Sequence, residues 1–510
     1  MDVADMLARR EQVIVSRTRK TEGAVHHDDP QHHSSFSPIS ILPEEIISYI
    51  FEAFVASGDP PWQLALVSNQ WKELALGTPR LWSNILVTNS KAHCKSYSIG
   101  GEIGQVSARG NFQLCQTSDD LEKALVRSGA TLLNVSIQQT KLSKPIFVKA
   151  WSQILGKPVS DRLQDLFINV PTSTTNGLEW TTISLESTYS YLTSIDLRVP
   201  LQWGQVLIPG FLGAAGRMIA IRGRMPDNLE VSSFDWRNIQ SFDFQMTPPH
   251  VVNRLCTHLT NLEKLQGLPD DWPNSSTPLT TFKHLSVLEL IGCTSHYMED
   301  LRRLSLPTLT ELDLQLINEN RTANNPASHQ ENPLPVWKLP SLIKLSIEVE
   351  DQPEFSRWLA SVDMPCLQLL MIDIFGGDRN DSFPAGVVYP NLHFLYLVAD
   401  RAESYFIQAL EAAPNISEVS MSNAKLLSAK DRGSDLLTRL SLSGSEMLCP
   451  KIAKLTLNGG DRGVLGSREG LEPLIKRVVE SRAGVLQKFA VEWRNDGSPR
   501  RKLVDHTKES

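Results

Sequence analysis

The pattern apolar-x-x-apolar-x-apolar recurs along most of this 510-residue chain at nearly constant spacing, and a repeat of that length leaves few folds open. It runs through Leu132/Val135/Ile137, Leu163/Leu166/Ile168, Leu192/Ile195/Leu197, Ile239/Phe242/Phe244, Leu262/Leu265/Gly267, Leu285/Leu288/Leu290 and Leu309/Leu312/Leu314. It continues through Leu342/Leu345/Ile347, Leu367/Leu370/Ile372, Leu392/Leu395/Leu397, Ile416/Val419/Met421, Ile452/Leu455/Leu457 and Leu486/Phe489/Val491. Leading positions fall 23 to 25 residues apart from 239 to 309 and again from 342 to 416. A unit of this size cannot bury its own apolar face, so neighbours must stack and share one core, each adding a short strand to a parallel sheet.

Recurrent openings, Leu306-Pro307, Leu339-Pro340, Met364-Pro365, Tyr389-Pro390, Ala413-Pro414 and Cys449-Pro450, set the turn into each strand, because proline fixes φ and biases its predecessor towards extended backbone. The polar stretch from Asn318 to Pro335 reads as an exposed loop. Ala402 to Ala413 carries helical spacing, and Leu436 to Leu442 reads as a helix rather than a further strand. The residue between the second and third apolar positions points away from the core, since side chains alternate along a strand. In order these are Asp196, Asp243, Gln266, Glu289, Asp313, Ser346, Met371, Tyr396, Ser420 and Thr456, acidic in the earlier half and neutral with two large side chains in the later. Such a face is either a solvated surface or one that takes a basic segment at one end and an apolar anchor at the other. The candidate target-binding residues are Asp196, Asp243, Glu289, Asp313, Met371 and Tyr396.

Ahead of the repeats, Ser37 to Val87 packs the signals of three helices into a short span. Pro43 fits a first helical position and Glu44 and Glu45 suit the positive first turn. Ile46, Ile47, Ile50, Phe51, Phe54 and Val55 follow at helical spacing, Ser57 to Pro61 interrupts, and Leu64, Val67, Trp71 and Leu74 mark a second helix. Pro79, Leu81 and Trp82 close the segment. Its apolar stripe exceeds what so small a module buries, which leaves two readings: a helical cap for the following domain, or a docking module for a protein partner.

Leu42-Pro43-Glu44-Glu45-Ile46-Ile47, Ile50-Phe51, Leu66-Val67-Ser68, Trp71, Leu74-Ala75 and Pro79-Arg80-Leu81-Trp82 resemble, in order and spacing, an F-box, the motif that docks a protein onto the Skp-type adaptor of cullin–RING ubiquitin ligases. The ending Thr78-Pro79-Arg80-Leu81-Trp82 is similar to that of the expanded F-box families of mushroom-forming fungi. Ser68, Asn69 and Gln70 stand where that family often has Cys and Arg. The repeats resemble the irregular leucine-rich repeats that accompany many F-boxes. They lack the regular Asn ladder, with Cys293, Ile317 or Asp400 at that position. The resemblance implies an α/β chain: a three-helix F-box-like module, then a leucine-rich-repeat solenoid with a curved parallel sheet and a helical or irregular convex side. It implies adaptor binding through Leu42, Pro43, Ile46, Ile50, Val67 and Trp71, over a module core of Phe51, Leu74, Leu81 and Trp82. The expected divisions are a disordered tail (1–36), the module (37–90), a linker (91–125), the repeats (126–495) and a disordered basic tail (496–510).

A formal net charge of −7 argues against a primary nucleic-acid binder. The acidic N-terminus lacks an apolar segment of the secretory kind, and the most apolar stretch, Val206 to Ile221, is broken by Pro209, Gly210 and Arg217, so no membrane span and an intracellular setting are expected. Six scattered cysteines then read as reduced thiols, and neither Cys256/His258 nor Cys293/His296 has a second pair at zinc spacing. No nucleophile elbow, zinc-protease motif or phosphate-binding glycine loop is present, and Asn458 to Gly466 fits no phosphate fingerprint. The expectation is a non-enzymatic substrate-recognition adaptor of an SCF-type ligase, without metal or cofactor, binding a Skp-type adaptor, through it a cullin–RING ligase, and a target protein. The alternative is a leucine-rich-repeat scaffold whose N-terminal helices only cap the solenoid.

Overall fold

The computed structural model describes residues 42–56, 61–88, 113–138, 153–157, 159–170, 189–199, 201–215, 218–223, 225–244, 247–267, 280–294, 301–317, 336–350, 353–375, 383–384, 386–399, 403–423, 435–442, 447–459, 468–493 and 501–507. The chain divides into two compact units, Met1–Ile50 and Phe51–Ser510. The expected N-terminal tail, the loop from Asn318 to Pro335, Asp400, and most of the Asn458–Gly466 segment lie outside the described residues.

The protein is α/β, built on a long parallel sheet. Among the described residues seventeen strands form it. Gln113–Cys115 lies at one edge beside Asn84–Thr88, which pairs in turn with Leu133–Gln138. The order then follows the chain: Leu163–Asn169, Ser194–Arg198, Ala220–Gly223, Ser241–Asp243, Lys264–Gln266, Val287–Thr294, Glu311–Ile317, Lys344–Glu350, Leu369–Phe375, Phe394–Ala399, Glu418–Asn423, Lys454–Gly459 and Lys488–Trp493. Arg501–Thr507 closes the sheet antiparallel to Lys488–Trp493.

Alternation along each strand sorts the side chains. In Leu369–Phe375, Leu370, Ile372 and Ile374 are buried while Leu369, Met371 and Asp373 stay half-exposed on the other face, which we call the open face. The buried face shares one core with the return segments. Phe355, Trp358 and Leu359 of the helix Pro353–Ala360 and Tyr405, Phe406 and Leu410 of Glu403–Glu411 join it. Asp435–Leu440 is helical, as its spacing predicts, and buries Leu436, Leu437 and Leu440.

A side-chain ladder at the strand starts ties repeat to repeat. Asn391 donates to the Pro365 carbonyl at 2.8 Å, Asn415 to that of Pro390 at 2.9 Å, and Ser341 to that of Pro307 at 2.7 Å. Each donor directly follows a proline and reaches back to the equivalent proline one repeat earlier. The proline lacks an N–H but keeps its carbonyl, which this bond satisfies. The recurrent X-Pro openings are therefore cross-repeat joints as well as turns.

Further along, Arg482 is buried and directs its guanidinium at three carbonyls: Nε to Leu440 at 3.0 Å, Nη1 to Cys449 at 2.7 Å, and Nη2 to Leu448. It joins the end of Asp435–Leu440 and the loop at Cys449 to the end of the helix Arg468–Ser481, which it directly follows. Cys449 is held there at φ 49°, left-handed backbone that a residue with a Cβ rarely adopts.

Three features differ from the sequence reading. The spacing from Ile195 to Phe242 conceals a further strand, Ala220–Gly223, because Gly223 replaces the third apolar residue. A Cβ there would sit 2.9 Å from the Leu197 carbonyl oxygen, at a φ of +151°, so only glycine allows the neighbouring strand this close. The sheet also begins earlier than residue 126: Asn84–Thr88 and Gln113–Cys115, expected in module and linker, are strands of it. Residues Arg501–Thr507, expected within a disordered tail, form a strand, which covers an edge that Lys488–Trp493 would otherwise leave unpaired.

Candidate functional site

Two surfaces hold the residues singled out in the sequence. The first is helical. The helix Glu44–Ala56 starts behind Pro43, whose carbonyl accepts from the Ile46 and Ile47 amides at 3.0 and 3.1 Å, with Glu44 and Glu45 in its first turn. Within Met1–Ile50, Leu42, Pro43, Ile46 and Ile50 are exposed, Ile46 at 48%, while Ile47 is buried.

Within Phe51–Ser510, the short 3-10 segment Pro61–Leu66 is followed by the helix Asn69–Gly77, so the expected second helix is two pieces. Ser68 caps the latter, its Oγ accepting from the Trp71 amide at 3.1 Å, which gives the serine at this position a local role. Phe51 is fully buried and packs against the half-buried Trp71 with ring centroids 4.8 Å apart and the ring planes inclined by 57°. Leu81 and Trp82 are buried, and Leu74 is half-buried. The Trp82 indole donates to the Ala75 carbonyl at 2.8 Å, and the Arg127 guanidinium lies 4.8 Å over its ring. Leu66 and Val67 remain outside this packing, 75% and 61% exposed. Trp71 thus belongs as much to the interior of the segment as to its surface, whereas Val67 is a surface residue.

The second surface is the open face. The register places Asp196, Asp243, Gln266, Glu289, Asp313, Ser346, Met371, Tyr396, Ser420 and Thr456 in one row, as alternation predicts, with Arg222 between the first two. Arg222 was hidden with its strand, and it changes the electrostatics. Its Nε lies 2.9 Å from the Asp243 carboxylate, whose side chain is 1% exposed, and 3.8 Å from Asp196. Arg198 also reaches Asp196 at 3.3 Å. Burial nevertheless pushes the Asp196 carboxyl above the usual range, against the pull of Arg198 and Arg222. Lys264 meets Glu289 at 2.6 Å. The earlier half of the row is therefore a set of ion pairs rather than a bare acidic stripe.

The later half is different. Leu369, Met371, Phe394, Tyr396 and Val398 are half-exposed side by side on two adjacent strands. The strands on either side carry polar residues in the same rows: Lys344, Ser346 and Glu348 on one flank, Glu418, Ser420 and Ser422 on the other. The flanking charges next to Leu369 and Phe394 are paired outward, Lys344 with Glu311 at 3.2 Å and Lys454 with Glu418 at 3.0 Å.

Among the described residues, no group of three or more His, Cys, Asp or Glu is placed to hold a metal ion, and no helix is long and apolar enough to cross a membrane. Burial pushes the Cys115 and Cys449 thiols up to about 12, the wrong direction for nucleophiles. No protein-family model matches this sequence, and no curated protein matches it.

Proposed function

We propose that this protein is a substrate-recognition subunit of an SCF-type cullin–RING ubiquitin ligase, its N-terminal helices forming an F-box that binds the Skp-type adaptor and its repeats a leucine-rich-repeat solenoid that holds a target protein. The observation that carries the reading is the exposure of Leu42, Ile46, Ile50 and Val67, large apolar side chains at positions where the resemblance to an F-box implies adaptor contacts. A helix that served only as a cap would bury such residues. The open face adds an extended surface for a second protein. Capture of the tagged chain from cells tests this: the adaptor and a cullin are recovered with it, and recovery falls with Leu42→Ala/Pro43→Ala. Neither being recovered overturns the proposal.

One observation favours a second reading, a scaffold whose helices cap the sheet. Trp82 is shared between the segment and the helix Ser118–Arg127 through Arg127, and the next strand, Asn84–Thr88, lies within the sheet. Under that reading, deleting residues 1–77 unfolds the repeats. Under the adaptor reading the deletion leaves them folded and abolishes adaptor recovery.

A further inference from the structure

On the open face two carboxylates adjoin without a cation between them. Four cation–anion pairs elsewhere on it are matched across strands: Arg222 with Asp243, Lys264 with Glu289, Lys344 with Glu311, Lys454 with Glu418. Glu348 and Asp373 are direct register neighbours of the same sign. Gln315 donates to Glu348 at 3.2 Å, but among the described residues no lysine or arginine pairs with either carboxylate. Glu289 and Asp313 are also neighbours, yet Glu289 has Lys264. Two adjacent carboxylates repel, and among the described residues no cation on the neighbouring strands offsets this repulsion.

The pair does not stand alone. Asp373 shares its strand with Leu369 and Met371, and its register partner on the next strand is Val398, which continues the row formed with Phe394 and Tyr396. Phe375, 40% exposed, extends the same strand. The result is an apolar patch two strands wide, polar on both flanks, with a double negative charge at one corner. An apolar anchor surrounded by a polar rim is the arrangement of an interaction hot spot. The charge decides what fits. A segment bringing a cation to Glu348 and Asp373 removes their mutual repulsion as it buries its apolar side chain on Met371 and Tyr396, whereas a neutral or acidic segment leaves the repulsion in a drier site. Desolvation and the neighbouring Glu348 already hold the Asp373 carboxyl above its usual range, so the site gains from a cation before any further burial.

We propose that Leu369, Met371, Phe394, Tyr396 and Val398, with Glu348 and Asp373, form the docking site for a target polypeptide segment that presents a lysine or arginine beside a large apolar side chain. This rests on the open face being a binding surface, which the adaptor and scaffold readings share.

The probe is a random-peptide phage library selected on the full chain. Enriched peptides carry a basic residue next to an aromatic or long aliphatic one. A synthetic peptide from that selection binds about tenfold more weakly to the Glu348→Gln/Asp373→Asn chain and to the Tyr396→Ala chain, the effect of removing one good contact. The Glu348→Lys/Asp373→Lys chain instead selects acidic peptides, a change of preference that a misfolded protein does not give. Enrichment of peptides without a basic residue, or equal binding by wild type and both variants, overturns the proposal. So does a dimer of the free chain in sedimentation that Tyr396→Ala dissociates, since a second copy then occupies the face. Adaptor recovery is unchanged by these substitutions, so its failure and the failure of peptide selection are separate results.

Discussion

The Arg222 guanidinium lies 2.9 Å from the carboxylate of Asp243, a side chain only 1% exposed, and the two strands that carry them are neighbours in the sheet. A carboxylate this deeply placed costs several kcal/mol in desolvation unless a cation and hydrogen bonds offset it. Arg222→Gln is expected to destabilise the protein by about 2–4 kcal/mol, and Asp243→Asn added to it restores much of the loss. Urea midpoints of the two single variants and the double variant check this. Strictly additive losses contradict the pairing.

Arg482 makes a second prediction. Its three carbonyl partners come from two backbone stretches, Leu440 and the consecutive Leu448 and Cys449, the last in left-handed backbone. Arg482→Met strands those acceptors and lowers stability by about 2–5 kcal/mol. Arg482→Lys rescues little, because a single ammonium group cannot span the positions that a planar fork reaches. Thermal melts of both variants decide it, and a lysine variant equal to wild type refutes the fork.

The Asp373 carboxyl is raised above its ordinary value of 3.8, by desolvation first and by Glu348 second. A raised carboxylate favours the protonated form in the folded state, so its ionisation lowers stability as pH rises through 3.8 towards the native value. Asp373→Asn therefore raises the melting temperature at pH 7 and leaves it nearly unchanged at pH 3. The same gain at both pH values removes the electrostatic explanation.

At Gly223 a Cβ would meet the Leu197 carbonyl oxygen at 2.9 Å, against backbone as well as φ. Gly223→Ala is expected to cost about 2 kcal/mol or more, measured by urea unfolding. A loss within a few tenths contradicts the close approach.

The same glycine explains what could be read in the sequence. Strands such as Leu369–Phe375 and Phe394–Ala399 stand where the apolar triplets put them, because periodic burial is a local signal. Ala220–Gly223 carries a triplet, Met218/Ile221/Gly223, that ends on glycine as Leu262/Leu265/Gly267 does, and close strand packing leaves no room there for a third apolar side chain. Overlooking that strand also hides Arg222, and so the pairing that neutralises Asp196 and Asp243. Asn84–Thr88 was masked differently: Trp82 completes a helical motif, and nothing local says that the chain turns into the sheet two residues later. Lys264 and Glu289 belong to diagonal positions on neighbouring strands, a meeting set by register across repeats rather than by either repeat alone. The Asn391–Pro365 joint is legible only in retrospect, as a polar residue after a recurrent proline.

Titration of the purified chain with a purified Skp-type adaptor, followed by calorimetry, measures the proposed docking directly. A one-to-one complex is expected, which Leu42→Ala/Pro43→Ala weakens by about tenfold or more and which Val67→Asp weakens likewise. A chain that binds no adaptor at micromolar concentration, or binds equally well with these exposed residues replaced, contradicts it.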